Sequence, residues 1–196
     1  MTKPSNRERL LTEGLRLVHE RGFGAASVRN IVQAAGVPQG SFTNHFRSKE
    51  AFGLEVLERY YAGTRELFRS TLADPSKTPL DRLRAYVRYQ RLLFEANDMR
   101  RGCLYGNFTV ETTDPDDPLR RRVVEILTET ERALEECILA AVEAGELPSE
   151  ADAAAIANFV LSSVQGSTLL AKAQGSSLPF ERMEKILFES VLRVTT

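Results

Sequence analysis

Several residue types that enzymes and secreted proteins depend on are scarce in this chain. The sequence has no tryptophan, two cysteines and two histidines, and 8 % of its residues are aromatic. Two cysteines are too few for a disulfide framework, so we expect free thiols in a reducing cytoplasm, with a single disulfide as the less favoured alternative. No phosphate loop, nucleophile elbow or pair of metal ligands is present, and His19 and His45 lie far apart. The sequence therefore predicts neither an enzyme nor a metal site, and we expect no cofactor.

Long hydrophobic runs are missing as well. The longest run, 153–161, is interrupted by Asn158 and is far shorter than the ~20 residues of a membrane-spanning helix. The first nine residues contain no apolar stretch of the kind found in secretory signals. We therefore expect no membrane span and a cytoplasmic location.

The composition is otherwise that of a globular protein, but its charge is unevenly distributed. The 196 residues are 42 % hydrophobic and 27 % charged, with a net charge of −1. Residues 1–50 contain eight basic and four acidic side chains, a net of +4, which leaves −5 for the remainder. A basic end on an acidic body is typical of a nucleic-acid-binding module, although chance variation in surface charge gives the same pattern.

Apolar residues recur at helical spacing along nearly the whole chain, and neither strand alternation nor an internal repeat is visible. The predicted class is all-α with about nine helices. Ser27, Ser48 and Thr78 are candidate N-caps, and Gly22, Gly36, Gly145 and Gly175 are candidate stops. The segment 104–112 is ambiguous. The predicted helices are 6–21, a short one from 28 that ends before Gly36, 41–46, 49–72, 79–97, 118–144, 149–172 and a final one that carries Phe180 to Leu192.

The last two helices carry more apolar residues than one core face requires, among them Phe159, Leu169, Leu170 and Ile186. We expect these helices to form the interface of a two-fold dimer. The alternative is a helical hairpin buried within one chain, for which a chain of this length has little room.

Residues 27–50 carry the functional signal. They form two short predicted helices joined by a tight turn at Gly36, which is the arrangement of a helix-turn-helix. In such a motif the first helix braces the second, which enters the major groove of DNA. The second helix begins with small and polar residues, Gln39, Gly40 and Ser41, so its first turn can approach bases and phosphates closely.

This stretch resembles the TetR/AcrR family of transcriptional repressors. The matching pattern is Ile31-Val-x-Ala-Ala-Gly-Val-Pro-x-Gly-Ser-Phe-x-x-His-Phe-x-Ser-Lys-Glu50, preceded by Gly22-Phe-x-Ala-Ala-Ser27. The resemblance implies a three-helix DNA-binding domain over residues 1–48 and a larger helical ligand-binding and dimerisation domain over 49–196. It also implies a homodimer that binds a palindromic operator and is released by a small-molecule inducer, with the helix from Lys49 to about Leu72 shared between the domains.

The resemblance also identifies candidate DNA contacts. Arg29 and Gln39 suit base readout, because arginine pairs bidentately with guanine and glutamine with adenine, while Lys49 at a helix start suits a phosphate. At Thr43 the family usually has an aromatic residue, so this position puts operator affinity or preference in doubt. Outside this motif Arg29 and Lys49 would more simply be solvated charges. The full set is Ser27, Arg29, Gln39, Gly40, Ser41, Thr43, Asn44, His45 and Lys49.

Residues 101–114 look like a segment of a TetR subgroup that includes regulators of the NemR and AcuR type. Some of its members respond to reactive electrophiles or small unsaturated acids. Cys103 is therefore a candidate sensing thiol, with a small buried hydrophobe as the alternative; Cys137 is expected in the core. The aromatic and amide side chains nearby suit an apolar cavity with a few polar anchors, although they suit a plain core equally. The candidate ligand residues are Cys103, Tyr105, Asn107, Phe108, Tyr89 and Phe94.

The predicted function is a ligand-responsive, homodimeric transcriptional repressor whose partners are double-stranded operator DNA and a small inducer. The alternative is a helical small-molecule-binding protein without DNA-binding activity, for which Thr43 is the only indication. Neither the inducer nor the operator follows from the sequence.

Overall fold

A computed structural model describes residues 4–96 and 101–193. Within those ranges the chain forms nine α-helices and one π-helical turn, with no strand, which confirms the all-α prediction. The helices are α1 (Asn6–Arg21), α2 (Val28–Ala35), α3 (Ser41–His45), α4 (Lys49–Ser70), α5 (Pro79–Glu95), α6 (Leu104–Glu111), α7 (Pro118–Glu143), α8 (Ala153–Gln174) and α9 (Leu178–Ile186), and the π-helical turn is Leu187–Val191.

Local capping explains where most of these helices begin and end. The Ser27 hydroxyl accepts a hydrogen bond from the Asn30 N–H at 3.1 Å and so caps α2. Thr78 caps α5 in the same way, and Pro79 follows at the first helical position. Gly36 ends α2 in the left-handed region at φ +58°, where a side chain would be strained. The predicted starts and stops at these residues are confirmed.

Three local predictions need correction or completion. Helix α8 begins at Ala153 rather than near residue 149, because the Asp152 carboxylate accepts from the Ala155 N–H at 3.0 Å and is the N-cap. The ambiguous segment 104–112 contains helix α6. The α-helical hydrogen bonding of the final helix ends at Ile186 and gives way to the π-helical turn.

Contacts divide the chain into two compact units. The first contains residues 1–63 and 103–125, and the second contains residues 64–102 and 126–196. The division falls inside α4 and α7, and it assigns α6 to the unit that contains the helix-turn-helix. The boundary predicted between residues 48 and 49 stays a prediction.

The first unit is built around an aromatic cluster. The Phe52 ring on α4 lies with its centroid 5.1 Å from that of Phe42 and 4.9 Å from that of Phe46. All three rings are at most 3 % exposed, and Leu10 and Ile31 beside them are fully buried. This cluster packs α1, α2 and α3 around the start of α4, which gives the two short helices the tertiary support that their length requires.

The second unit has its own core, drawn from α4, α5, α7, α8 and α9. Tyr86, Leu134, Val160 and Phe180 lie at its centre with at most 1 % exposure, and Cys137 is buried as predicted, at 4 %. Among the described residues, helix α8 is long and apolar enough to cross a membrane by length and composition alone. The core helix of a soluble protein passes the same test, so the expectation of no membrane span stays a prediction. Helix α8 has a mean hydropathy of 1.3 over its most apolar 18 residues, of which 28 % are buried. The sequence reading counted unbroken apolar residues, whereas Asn158 and the serines lower the average of this helix only slightly.

Candidate nucleic-acid interface and effector residues

The turn between α2 and α3 is fixed by backbone and side-chain hydrogen bonds. The N–H of Gly36 donates to Gln33 O, and the next N–H, of Val37, donates to Val32 O. Arg9 on α1 donates through Nη2 to Gly36 O at 3.0 Å. Val37 is 9 % exposed, so an apolar residue follows the turn into the core. The turn between α2 and α3 is thus held to α1 by the hydrogen bond from Arg9.

Most of the predicted DNA contacts lie at the surface. Arg29 is exposed, and it forms no ion pair with another described residue. The Thr43 hydroxyl donates to Gly40 O at 3.1 Å, which closes the first turn of α3. The exposed candidates are Ser27, Arg29, Gln39, Gly40, Thr43, Asn44 and His45. They include residues from both helices of the motif and from the turn between them.

Two candidates are engaged within the protein. Ser41 is 7 % exposed, and its hydroxyl accepts from Asn6 Nδ2 at 3.4 Å. The Lys49 ammonium donates to Gly24 O at 3.2 Å and lies 4.6 Å from the centroid of the Phe23 ring. An ammonium has three N–H donors, so this hydrogen bond leaves two donors of the half-exposed Lys49 for another acceptor.

Gly40, the residue before α3, has an ordinary helical backbone at φ −71° and ψ −10°. A Cβ at this position would meet nothing within 4 Å. Neither backbone strain nor packing within the described part of the chain therefore requires glycine here. Gly40 therefore leaves the backbone at the start of α3 exposed, without a side chain to cover it.

Four of the six candidate ligand residues belong to the first unit. Cys103 is half-buried and is the N-cap residue of α6, without a side-chain capping bond. Tyr105 packs edge-on against Tyr60 at 5.0 Å between ring centroids, and Phe108 packs against Phe23 at 5.3 Å. Asn107 is half-buried. Tyr105 and Phe108 are thus held in the core of the unit that contains the helix-turn-helix.

The other two candidates belong to the second unit. Phe94 is 5 % exposed and packs against Phe180 at 5.7 Å between ring centroids, whereas Tyr89 is 45 % exposed. Leu93, on the same helix as these two residues, is 43 % exposed.

The second unit also contains a cavity that the sequence did not indicate. Its volume is about 310 Å³, and Cys137 lies in its wall together with Arg82. Burial raises the pKa of the Cys137 thiol to about 11, and the thiol donates to Pro79 O at 3.3 Å. The lining residues are Phe68, Arg69, Leu72, Ala73, Arg82, Ala133, Glu136, Cys137 and Ala140, none of which is a predicted ligand residue. Among the described residues, no group of three or more His, Cys, Asp or Glu could hold a metal ion.

Glu111 is a residue whose role the sequence reading missed. It is the last residue of α6, and its carboxylate accepts hydrogen bonds from the backbone N–H groups of Phe23 and Gly24, between α1 and α2. An acidic residue is disfavoured at a helix C-terminus by the helix dipole. The unfavourable position of Glu111 at a helix C-terminus is the local signal that its carboxylate has a partner elsewhere.

Comparison with known proteins extends over both units. Residues 10–56 match the model of the bacterial regulatory proteins of the tetR family, and residues 79–187 match a tetracyclin repressor-like C-terminal domain. The transcriptional repressor DhaR of Mycobacterium sp. strain GP1 is 33 % identical over 100 % of this chain and 96 % of its own. The regulator AcuR of Cereibacter sphaeroides is 33 % identical over 84 % of this chain and 75 % of its own. The crystal structure of Escherichia coli NemR in its reduced form superposes with a TM-score of 0.84 at 28 % identity, covering 94 % of this chain and 96 % of that one.

Proposed function

The chain belongs to the TetR family of transcriptional regulators, which bind DNA and respond to ligands, and we propose that it is a homodimeric repressor that a small-molecule inducer releases from a palindromic operator. The observation that carries this proposal is the exposed surface of α2 and α3. This surface combines Arg29, which forms no ion pair with any residue in 4–96 or 101–193, with Gln39 and the bare backbone at Gly40.

Each of these residues has a chemical role in the proposal. Arg29 pairs with the O6 and N7 atoms of guanine, and Gln39 with the N6 and N7 atoms of adenine. Gly40 lets the start of α3 approach the sugar-phosphate backbone, because it places no side chain between them. Lys49 donates to a phosphate while it keeps its hydrogen bond to Gly24 O, and phosphate contacts of this kind fix register without reading sequence.

The dimer follows from the apolar surface that α8 and α9 leave exposed. Leu169 is 70 % exposed, Ile186 55 %, Leu170 51 % and Phe159 44 %. Single exposed apolar residues are normal, but four large ones on two consecutive helices indicate a surface that a partner covers. A second copy fits a symmetric operator, because two-fold related units can place their recognition helices in successive major grooves about 34–36 Å apart or somewhat more.

The inducer acts in this proposal through residues that the sequence singled out. Cys103 remains the candidate for an electrophilic inducer, because it is half-buried at the N-terminus of α6, whereas Cys137 is buried with a raised pKa. The differential affinity of the inducer for the two states of the protein limits how far it shifts the DNA-binding equilibrium. The proposed location is cytoplasmic, where such DNA and free thiols are found.

A DNA-binding assay tests the proposal. A duplex is first isolated with the wild-type protein by repeated selection from a random-sequence pool, and fluorescence anisotropy then gives the Kd of the variants for that duplex and for a scrambled one. Arg29→Ala and Gln39→Ala should lose the preference for the selected duplex, while Lys49→Ala should weaken binding to both duplexes alike. Arg132→Ala is the matched control, because it removes an exposed positive charge from the second unit.

The outcomes separate the candidate functions. Failure of the wild type to retain any duplex would leave the alternative, a helical ligand-binding protein without DNA-binding activity. If Arg29→Ala keeps the full preference, the assignment of base readout to Arg29 is wrong.

The proposed inducer site has its own test, in which N-ethylmaleimide and acrylate serve as electrophilic and unsaturated-acid probes of release from DNA. Release by N-ethylmaleimide that persists in Cys103→Ser would remove Cys103 from the mechanism.

A further inference from the structure

The turn that leads from α1 into the helix-turn-helix is held by the end of α6. The Phe23 N–H donates to Glu111 Oε1 at 3.0 Å, and the neighbouring Gly24 N–H donates to Glu111 Oε2. One carboxylate therefore binds two successive backbone donors across 87 to 88 residues of sequence. Hydrogen bonds to an ionised carboxylate are stronger than neutral ones, and a paired arrangement also fixes direction.

Two glycines in the turn leave room for this carboxylate. Gly22 has φ +88°, and a Cβ there would lie 2.3 Å from Glu111 Oε1. A Cβ on Gly24 would lie 3.3 Å from Oε2. The space that the glycines leave open is thus the space that the carboxylate occupies.

The same turn is held on its other side by α4. Lys49 at the start of α4 donates to Gly24 O, and the Phe23 ring contacts both the Lys49 ammonium, at 4.6 Å, and the Phe108 ring of α6, at 5.3 Å between centroids. Ser27, three residues after Gly24, is the N-cap of α2. The orientation of α2, and of α3 packed beside it, therefore depends on how the turn is held between α4 and α6.

We propose that Glu111 is a positioning residue that holds the turn between α1 and α2 in its DNA-binding geometry through its hydrogen bonds from the Phe23 and Gly24 N–H groups. The proposal rests on the proposed DNA-binding function. Both hydrogen bonds lie at the surface, so water replaces the carboxylate when the contact is lost, and the turn is then free to leave this geometry.

Amide hydrogen exchange, read by NMR on the full-length protein without DNA or ligand, tests the contact directly. In Glu111→Gln the side chain keeps its size, but its NH₂ group faces one of the two backbone donors and cannot accept from it. We expect the amide that faces the NH₂ group to exchange at least about tenfold faster than in the wild type, because it loses a bond to a charged group. The other amide keeps an oxygen acceptor, but a neutral one, so it should exchange faster by a smaller factor. Asp116→Asn is the matched control, because it removes the same charge from a side chain that is 90 % exposed. The control should exchange as the wild type does.

The second measurement is the Kd for the duplex selected with the wild type. We expect Glu111→Gln to raise this Kd about tenfold and Asp116→Asn to leave it unchanged. Glu111→Asp keeps the charge but is one methylene shorter, so it should reach only one N–H. Its Kd should therefore lie between that of the wild type and that of Glu111→Gln. Glu111→Asp also carries the test if Glu111→Gln does not fold.

The outcomes are distinguishable from those of the proposed function. Wild-type exchange rates at Phe23 and Gly24 in both Glu111 variants would overturn the contact. Faster exchange with an unchanged Kd would show that Glu111 only stabilises the fold, and it would overturn the role of Glu111 in DNA binding. If the wild type binds no duplex, the proposed DNA-binding function fails, and the control of DNA binding by Glu111 is overturned with it, whatever the exchange rates show.

Discussion

The packing of the DNA-reading unit makes a quantitative prediction at Gly14. This glycine is buried on the side of α1 that faces α4. A Cβ added to it would lie 2.2 Å from Phe52 Cζ and 2.9 Å from Cε1. The Phe52 ring cannot retreat easily, because it is fully buried against the rings of Phe42 and Phe46. Gly14→Ala therefore forces α1 away from the aromatic cluster.

The magnitude follows from two opposing effects. Overpacking a core costs about 1–3 kcal/mol, and a clash this close belongs in the upper half of that range. Replacing glycine by alanine inside a helix recovers about 0.5–1 kcal/mol. The net loss in the free energy of unfolding is then about 1–2.5 kcal/mol, which lowers Tm by about 2–10 °C for a chain of this size.

Gly63→Ala is the control for this prediction. Gly63 lies within α4, is exposed, and has nothing within 4 Å of its added Cβ. The same substitution should therefore raise the free energy of unfolding by about 0.5–1 kcal/mol. Urea denaturation followed by circular dichroism measures both variants. A Gly14→Ala protein as stable as the Gly63→Ala protein would refute the packing argument.

Three further predictions concern the proposed sites. Gly40→Ala should not lower Tm, because its backbone is helical and its Cβ meets nothing within 4 Å, and it should weaken binding to the selected duplex severalfold in anisotropy titrations; equal affinity would remove the close approach of DNA at Gly40. Leu169→Glu should shift sedimentation equilibrium toward the monomer, since a charge cannot be buried unpaired at an apolar interface; Val110→Glu is the control, since Val110 is 81 % exposed and lies on α6. At pH 7.5, N-ethylmaleimide should modify Cys103 well before Cys137, because a thiol pKa of about 11 leaves under about one thiolate in a thousand. The Cys137 rate should rise about tenfold per pH unit toward pH 11, and mass spectrometry of the labelled peptides would contradict this if Cys137 reacted first.

The sequence predicted the helices well, because their ends are decided locally. Ser27, Thr78 and Gly36 fix their helix boundaries through bonds to residues within three or four positions, and such signals can be read directly from the sequence. The predicted start of α8 was wrong because two local capping signals compete there. Ser149 and Asp152 are both good caps, and only the structure shows that the Asp152 carboxylate makes the bond.

The DNA-contact candidates rest on the continuous motif at 27–50 and on its resemblance to a family, and they stay a prediction. The structure places seven of the nine candidates at the surface. The engagement of Lys49 with Gly24 and of Ser41 with Asn6 was not predictable, because these contacts join separate elements. The contact of Glu111 spans even more of the chain, and only its unfavourable place at a helix end gave a hint.

The unit that α6 joins did not follow from the sequence. The segment lies within the predicted ligand-binding domain, whose boundary stays a prediction, and the contacts of residues 103–111 fall in the unit that contains the helix-turn-helix. The reason is physical: Tyr105 and Phe108 find their aromatic partners, Tyr60 and Phe23, on that unit. Periodicity shows that a residue is apolar-facing, but it does not show which core the residue joins.

The most direct test of the account is the salt dependence of DNA binding by the wild-type protein. The account predicts preferential binding to one selected duplex, with a Kd that rises steeply between about 50 and 200 mM salt as counterions are displaced from phosphates. It also predicts that Lys49→Ala reduces the slope of log Kd against log salt by about one. Binding that is absent, or equal for selected and scrambled duplexes at every salt concentration, would contradict the account.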